Sequence, residues 1–390
     1  MTNPENRRVS PDAFAQIVMD RLYQTSETAT VNYDRERFCL QGDGDEYLDL
    51  NECHKVYCDA DDESRTRLLS DIARMWFRQD YTLPDEFEDA THDLMPYVHS
   101  RGFFELSPQR WPYQVLGEHL GATIVYERLE SRQLVPKEIL DAWGVSLDQA
   151  LEIAKENLRR LPANVAIPNS DETAWYLKTG DDRCSAYLLL TDIVRLWDVR
   201  GDAIAMVPNR DTLFIAGSED DKSLAQMVKI AMAASEFPRP ISGIALRLAD
   251  DTWVPWLPAE SHPLHRDFKQ LQLRTFEAEY AEQEKLLDKR CEETGQDVYV
   301  APFWCLTSPK GKPASATGWP AGVESMLPET DVIMFMRNET DSAIVTWQGA
   351  VSIVGNLMEP LNMYPPRCRV REFPSPEQLA WMVSEHSAEG

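Results

Sequence analysis

Apolar runs of strand length alternate with helix-spaced apolar stripes along the chain, most regularly over residues 122–258. Ser146-Leu147-Asp148-Gln149 has capping-box spacing, a hydroxyl followed three residues on by an amide. Leu147, Ala150, Leu151, Ala154, Leu158 and Leu161 then recur at helical spacing, and Pro162 stops the helix they predict. Trp175, Tyr176 and Leu177 read as a short strand. Leu190, Ile193, Val194 and Trp197 predict a second helix, ended near Gly201. Residues 203–207 and 212–216 are apolar runs joined by the turn formers Pro208-Asn209-Arg210-Asp211, which predicts a β-hairpin. Leu224, Met227, Val228 and Ala231 mark a third helix, closed by Pro238 and Pro240. Ile244, Leu246 and Leu248 alternate, Asp250-Asp251 turns the chain, and residues 253–257 return.

The flanks are less regular. Residues 11–23 place Phe14, Ile17, Val18 and Leu22 on one side of a helix. Two strands, 29–40 and 46–50, are expected around the turn signal Gly42-Asp43-Gly44-Asp45. Asp61-Asp62-Glu63 puts acid on the first turn of the next helix, where the helix dipole favours it. Leu68, Leu69, Ile72, Met75 and Trp76 supply that helix's apolar face, and residues 94–104 have extended character. After Pro258 a charged segment, 262–290, has a broken apolar stripe and predicts a connecting helix lying across a surface. Strands are expected at 298–306, 331–336, 343–347 and 367–373, a loop at 308–320 and a helix at 349–358. Ser375-Pro376-Glu377-Gln378 caps a final helix. The fold class is therefore α/β of the α+β type: mixed sheets with helices packed on them, plus a smaller C-terminal α/β unit. The pattern divides the chain into residues 1–80, 81–258, a connecting helix at 259–297, and 298–390.

Four blocks carry a family resemblance: Met95-Pro96-Tyr97-Val98-His99-Ser100-Arg101, Asn157-Leu158-Arg159-Arg160-Leu161-Pro162, Val207-Pro208-Asn209-Arg210-Asp211, and the strand pair over 244–257. In their order and separation they resemble the uncharacterised bacterial YtpQ-like family, over roughly residues 10–258. The resemblance implies a cytoplasmic bacterial protein of unassigned role. The acidic stretch at 59–63 and everything after Pro258 lie outside it.

Composition narrows the classes. At 390 residues the chain exceeds the size at which single cores usually split. There are 65 acidic and 39 basic residues, a formal charge of −26. Such a surface repels nucleic acid and anionic lipid and attracts a basic protein partner. No apolar run approaches membrane-helix length, and the polar first residues carry no signal-peptide pattern. With seven scattered cysteines, this predicts reduced thiols in a cytoplasm.

Chemistry-bearing motifs are few. Nucleotide-binding glycine loops, the Gly-x-Ser-x-Gly elbow and His-Glu-x-x-His are absent, so no cofactor is expected. Cys53-His54 with Cys58 lacks a second ligand pair, and no metal is expected. The candidate binding residues are Asn209, Arg210 and Asp211 in the hairpin turn, where a guanidinium suits a carboxylate or phosphate. His99 beside Arg101 forms a second candidate anion contact. In each case structure alone also accounts for the residues, since Asn and Asp are good turn formers and a lone His is commonly structural. Two functions follow: a non-catalytic protein-interaction factor, adaptor- or inhibitor-like, or a hydrolase-type enzyme whose site assembles only in three dimensions.

Overall fold

The computed structural model describes residues 9–26, 29–35, 37–42, 47–60, 62–77, 83–128, 131–161, 167–168, 174–177, 183–234, 240–308, 311–338 and 340–387. It comprises two compact units, residues 1–84 with 127–132, and residues 85–126 with 133–390. Helices and several mixed or antiparallel sheets make the fold α+β. Among the described residues no helix is long and apolar enough to cross a membrane.

In the first unit Ser10 Oγ accepts from the Ala13 N–H and starts the helix Pro11–Thr25. Its Phe14, Val18 and Leu22 pack with Ile72 and Trp76 of the helix Asp62–Trp76. The stretch expected as one strand over 29–40 instead folds back on itself. Asn32–Asp34 pairs antiparallel with Cys39–Gln41, and Tyr47–Asp49 adds a third strand. The turn is local and polar: the Arg37 N–H donates to Asp34 Oδ1 at 3.0 Å, and Phe38 takes a left-handed φ of 50°. Apolar periodicity carries no trace of such a reversal. An unexpected helix, Asn51–Asp59, adds Tyr57 to this core. Asp43 to Asp45, Asp61, Pro162 and Pro238, invoked as turn, acid or stop signals, lie outside the described residues.

In the second unit the capping box at Ser146 forms in both directions and begins the helix Leu147–Arg160. Ala150, Leu151, Ala154 and Leu158 are its buried face. Asn157 is buried among them, and its Nδ2 donates to Thr91 O at 2.6 Å and Leu94 O at 2.9 Å, tying the helix to the start of the strand Leu94–Ser100. That strand pairs antiparallel with Leu120–Arg128 and is shorter than expected, because Ser100 caps a helix over Arg101–Glu105. The helix expected over 190–197 is also shorter. A 3-10 stretch, Cys184–Leu189, runs into the single turn Thr191–Val194, with Leu190 at φ −100° and ψ 62° interrupting the two.

The expected hairpin, Ala203–Asn209 with Thr212–Gly217, lies in the middle of a six-stranded sheet. Ile204, Met206, Phe214 and Ala216 pack there with Leu224, Met227 and Ala231 of the helix Asp221–Ala234. The pair Leu246–Ala249 and Thr252–Pro255 closes that sheet on one side.

The long helix His265–Thr294 departs from the connector expected for it. Phe268 and Leu271 belong to the core of the six-stranded sheet, while Leu273 and Tyr280 cluster with Phe303. Residues 258–264, where the pattern placed a division, consequently lie within one compact unit. Downstream, the expected strand at 298–306 is two strands in different sheets, Tyr299–Val300 and Trp304–Thr307. Most of the expected loop at 308–320 is the strand Pro313–Pro320. Its prolines sit at the two ends, where missing N–H groups disrupt a ladder least, and its small residues give no apolar signal. The capping box at Ser375 forms and begins the last helix, Pro376–His386.

Candidate functional site

Arg210 and Asp211 are the two-residue turn of the central hairpin, with Asn209 ending its first strand. A bulge between Met206 and Asn209 frees Val207 O and Pro208 O to accept from the N–H groups of Ser242 and Ile241. The three turn residues are half-buried, so they are part of the sheet's end rather than a projecting tip. His99 and Arg101 belong to a different sheet and the helix that follows it.

The neighbours His99 and Arg101 meet different surroundings. His99 is buried, its ring 4.3 Å from that of Phe103, and its Nδ1 accepts from the Ser100 N–H at 2.9 Å. Arg101 leads into a polar cluster that no sequence motif announces. Its guanidinium lies 4.6 Å over the ring of Tyr364, whose hydroxyl donates to Glu279 Oε2 at 3.0 Å. His119 Nδ1 lies 3.2 Å from the same hydroxyl. With the Tyr364 proton directed at Glu279, His119 is the donor in that contact. The backbone of Gly102 comes so close to Glu279 that a Cβ there would sit 2.9 Å from Oε1.

Burial dominates the charges. It pushes the Glu279 carboxyl up to about 7, against the opposing pull of the Tyr364 hydrogen bond. It pushes the His119 imidazole down to about 4, helped by the nearby Arg101 charge. The same helix continues the pattern one turn on. Tyr280 Oη donates to Pro366 O at 2.6 Å, Gln283 Nε2 to Pro365 O at 2.7 Å, and Gln283 Oε1 accepts from Arg367 Nε at 2.6 Å. Burial lowers Arg367 to about 10. Glu279, Tyr280 and Gln283 thus fasten the long helix to residues 364–367. The interruptions in its apolar stripe were the available sign that something polar is buried there.

Cys53, His54 and Cys58 share the helix Asn51–Asp59. His54 Nε2 bonds Val9 O at 2.7 Å and lies 3.4 Å from Cys58 Sγ. Since that nitrogen gives its proton to the carbonyl, it has no lone pair with which to activate the thiol. Among the described residues no group of three or more His, Cys, Asp or Glu side chains is placed to share a metal ion.

A groove of about 560 Å³ is lined by residues 194–199 and 201–203 with Leu248 and Asp250. Val194, which ends the shortened helix Thr191–Val194, lines it together with Gly201, whose φ of 79° lies in the left-handed region. A Cβ at Gly201 would also lie 2.4 Å from Ser218 Oγ. Trp197 stacks on Trp175 with ring centres 5.6 Å apart, and Trp175 Nε1 donates to Asp198 O. Arg195 is held by Asp251 and by the carbonyl of Asp250, and Asp202 pairs with Arg247 at 3.0 Å. Leu196 is left 81% exposed among these groups. No protein-family model, curated protein or solved structure matches this chain.

Proposed function

We propose that the chain is a non-catalytic protein-interaction factor, adaptor- or inhibitor-like, and that the groove at residues 194–203 docks a basic segment of another protein. The observation that supports this is Leu196, 81% exposed in a groove it shares with Asp198, Asp202 and Asp250. An apolar anchor beside carboxylates suits a peptide with one large apolar side chain between Lys or Arg residues. The overall charge of −26 adds long-range steering of such a partner. A bacterial, cytoplasmic setting accompanies this reading and rests on the YtpQ-like blocks. The enzymatic alternative draws on the cluster around Glu279, but every polar contact described there joins one part of the fold to another.

The test is fluorescence anisotropy with labelled peptides in which Leu or Trp is flanked by arginines. Burying a leucine-sized side chain is worth about 1.5–3 kcal/mol, so Leu196→Ser is expected to weaken binding roughly tenfold or more without moving the melting curve. Affinity should fall as salt shortens the Debye length from about 10 Å at 0.1 M to about 3 Å at 1 M. Equal binding by parent and variant would reject the groove.

A further inference from the structure

The four-stranded sheet of Trp304–Thr307, Pro313–Pro320, Val332–Asn338 and Asp341–Thr346 has two faces with different fates. Alternate residues point to opposite sides, so register assigns each one. Trp319, Ile333, Phe335 and Val345 go inward, into a core shared with Leu379 and Met382 of the last helix. On the other side Trp304 pairs with Ala316, Leu306 with Ala314, and Met334 lies between Gly318 and Ile344. Trp304 and Leu306 are each 38% exposed and Ile344 41%. Gly318 lets large side chains lie flat here: a Cβ would sit 2.6 Å from Met336 Cε and 3.3 Å from Trp304 Cη2.

Among the described residues the ladder positions on this outer face are uncharged. Its remaining positions include Pro320, Val332, Met336, Ser342 and Thr346. Of the described charged groups at its margins, Arg337 pairs with Asp341 at 2.7 Å and Lys312 with Glu260 at 3.1 Å. In a chain of charge −26, such a face offers a basic partner no carboxylate to bind. What it matches is itself. A two-fold interface brings one patch against its own copy, so charged patches of one sign repel while a neutral apolar patch is self-complementary.

We propose that this sheet face is the contact between two copies of the chain, packed back to back. Twisted sheets stack about 10 Å apart with strands about 30° from parallel, and alternating large and small side chains such as Trp304 and Gly318 allow interdigitation. The central strand Val332–Asn338 has seven residues, and the sheet has four strands. At about 3.3 Å per residue and about 4.8 Å between strands, the flat footprint is about 400 Å² per copy. Two copies together bury about 800 Å² before side-chain relief is added, the size of a weak, transient contact.

Sedimentation velocity on the full chain from about 1 to about 100 µM tests this. The parent should pass from 44.6 kDa to twice that mass. Met334→Lys and Ile344→Lys should each raise the dissociation constant at least about tenfold, by burying an unpaired charge, with the parent's circular dichroism retained. Ile344 is already 41% exposed, so its variant folds even if Met334→Lys does not. Leu196→Ser should dimerise normally, which separates this contact from the groove. A parent that stays monomeric throughout overturns the proposal, as does a dimer that survives the Ile344→Lys substitution. A monomeric parent that binds a different protein through Ile344 assigns the face to that partner and overturns it equally.

Discussion

The pairing of Glu279 with His119 through Tyr364 predicts two pH dependences that oppose each other. The Glu279 carboxyl ionises at about 7 in the folded chain against 4.5 for the free group. As pH rises through that interval, the unfolded chain releases a proton that the folded chain keeps. Folding therefore loses about 1.4 kcal/mol per pH unit there, about 3 kcal/mol in all, and the loss levels off above the folded value. His119 has the reverse sign. It is held at about 4 against 6.5, so at low pH the unfolded chain binds a proton that the folded chain refuses. Stability from this group rises by a similar amount, about 3 kcal/mol, between those two values. Over the shared window the two slopes nearly cancel. Replacing one member should uncover the other: Glu279→Gln should grow more stable relative to the parent as pH rises from about 4.5 to about 7, and His119→Gln less stable from about 4 to about 6.5. Arg101, Glu282, Tyr280 and Tyr364 also act on Glu279 or its partners, but they are common to all three proteins. Urea unfolding followed by circular dichroism across this range, plotted as variant minus parent, isolates the pair. Two flat difference curves would refute the account, as would two slopes of the same sign.

The remaining predictions concern groups that hold the scaffold of the second unit. Ser146→Ala removes one half of a complete capping box and should cost about 1 kcal/mol, read as a lower urea midpoint with unchanged slope. Asn157→Ala strands the carbonyls of Thr91 and Leu94, which accept from it at 2.6 and 2.9 Å. Two lost buried hydrogen bonds should cost about 2–4 kcal/mol in the same assay, and a loss under about 1 kcal/mol would mean water replaces the amide.

The features legible in the sequence are those decided by residues a few positions apart. Both capping boxes, at Ser146 and Ser375, form as their spacing implies, because a cap needs only a side chain and an N–H three residues away. The central hairpin follows for the same reason, its turn formers standing between two apolar runs. Amphipathic periodicity likewise placed the helices Pro11–Thr25, Leu147–Arg160 and Asp221–Ala234, since each needs only one apolar face.

Tertiary structure decided what depends on partners distant in the chain. Residues 313–320 read as a loop from Pro, Gly and Ser content, yet neighbouring strands on both sides recruit them into a sheet. The long helix read as a connector because its buried polar residues broke the stripe. Tyr364 accounts for Glu279 from 85 positions away, and His119 meets that tyrosine across 245. Of the five candidate residues Arg101 belongs to this cluster, and its sequence neighbours give no hint of the ring it covers. The two faces of the C-terminal sheet make the same point. Trp319 and Trp304 look alike in sequence, and only the elements packed on one face of the sheet leave one in the core and the other at the surface. Local spacing specifies hydrogen bonds within a turn or a cap, whereas burial is a property of the whole fold, and no short window of residues contains it.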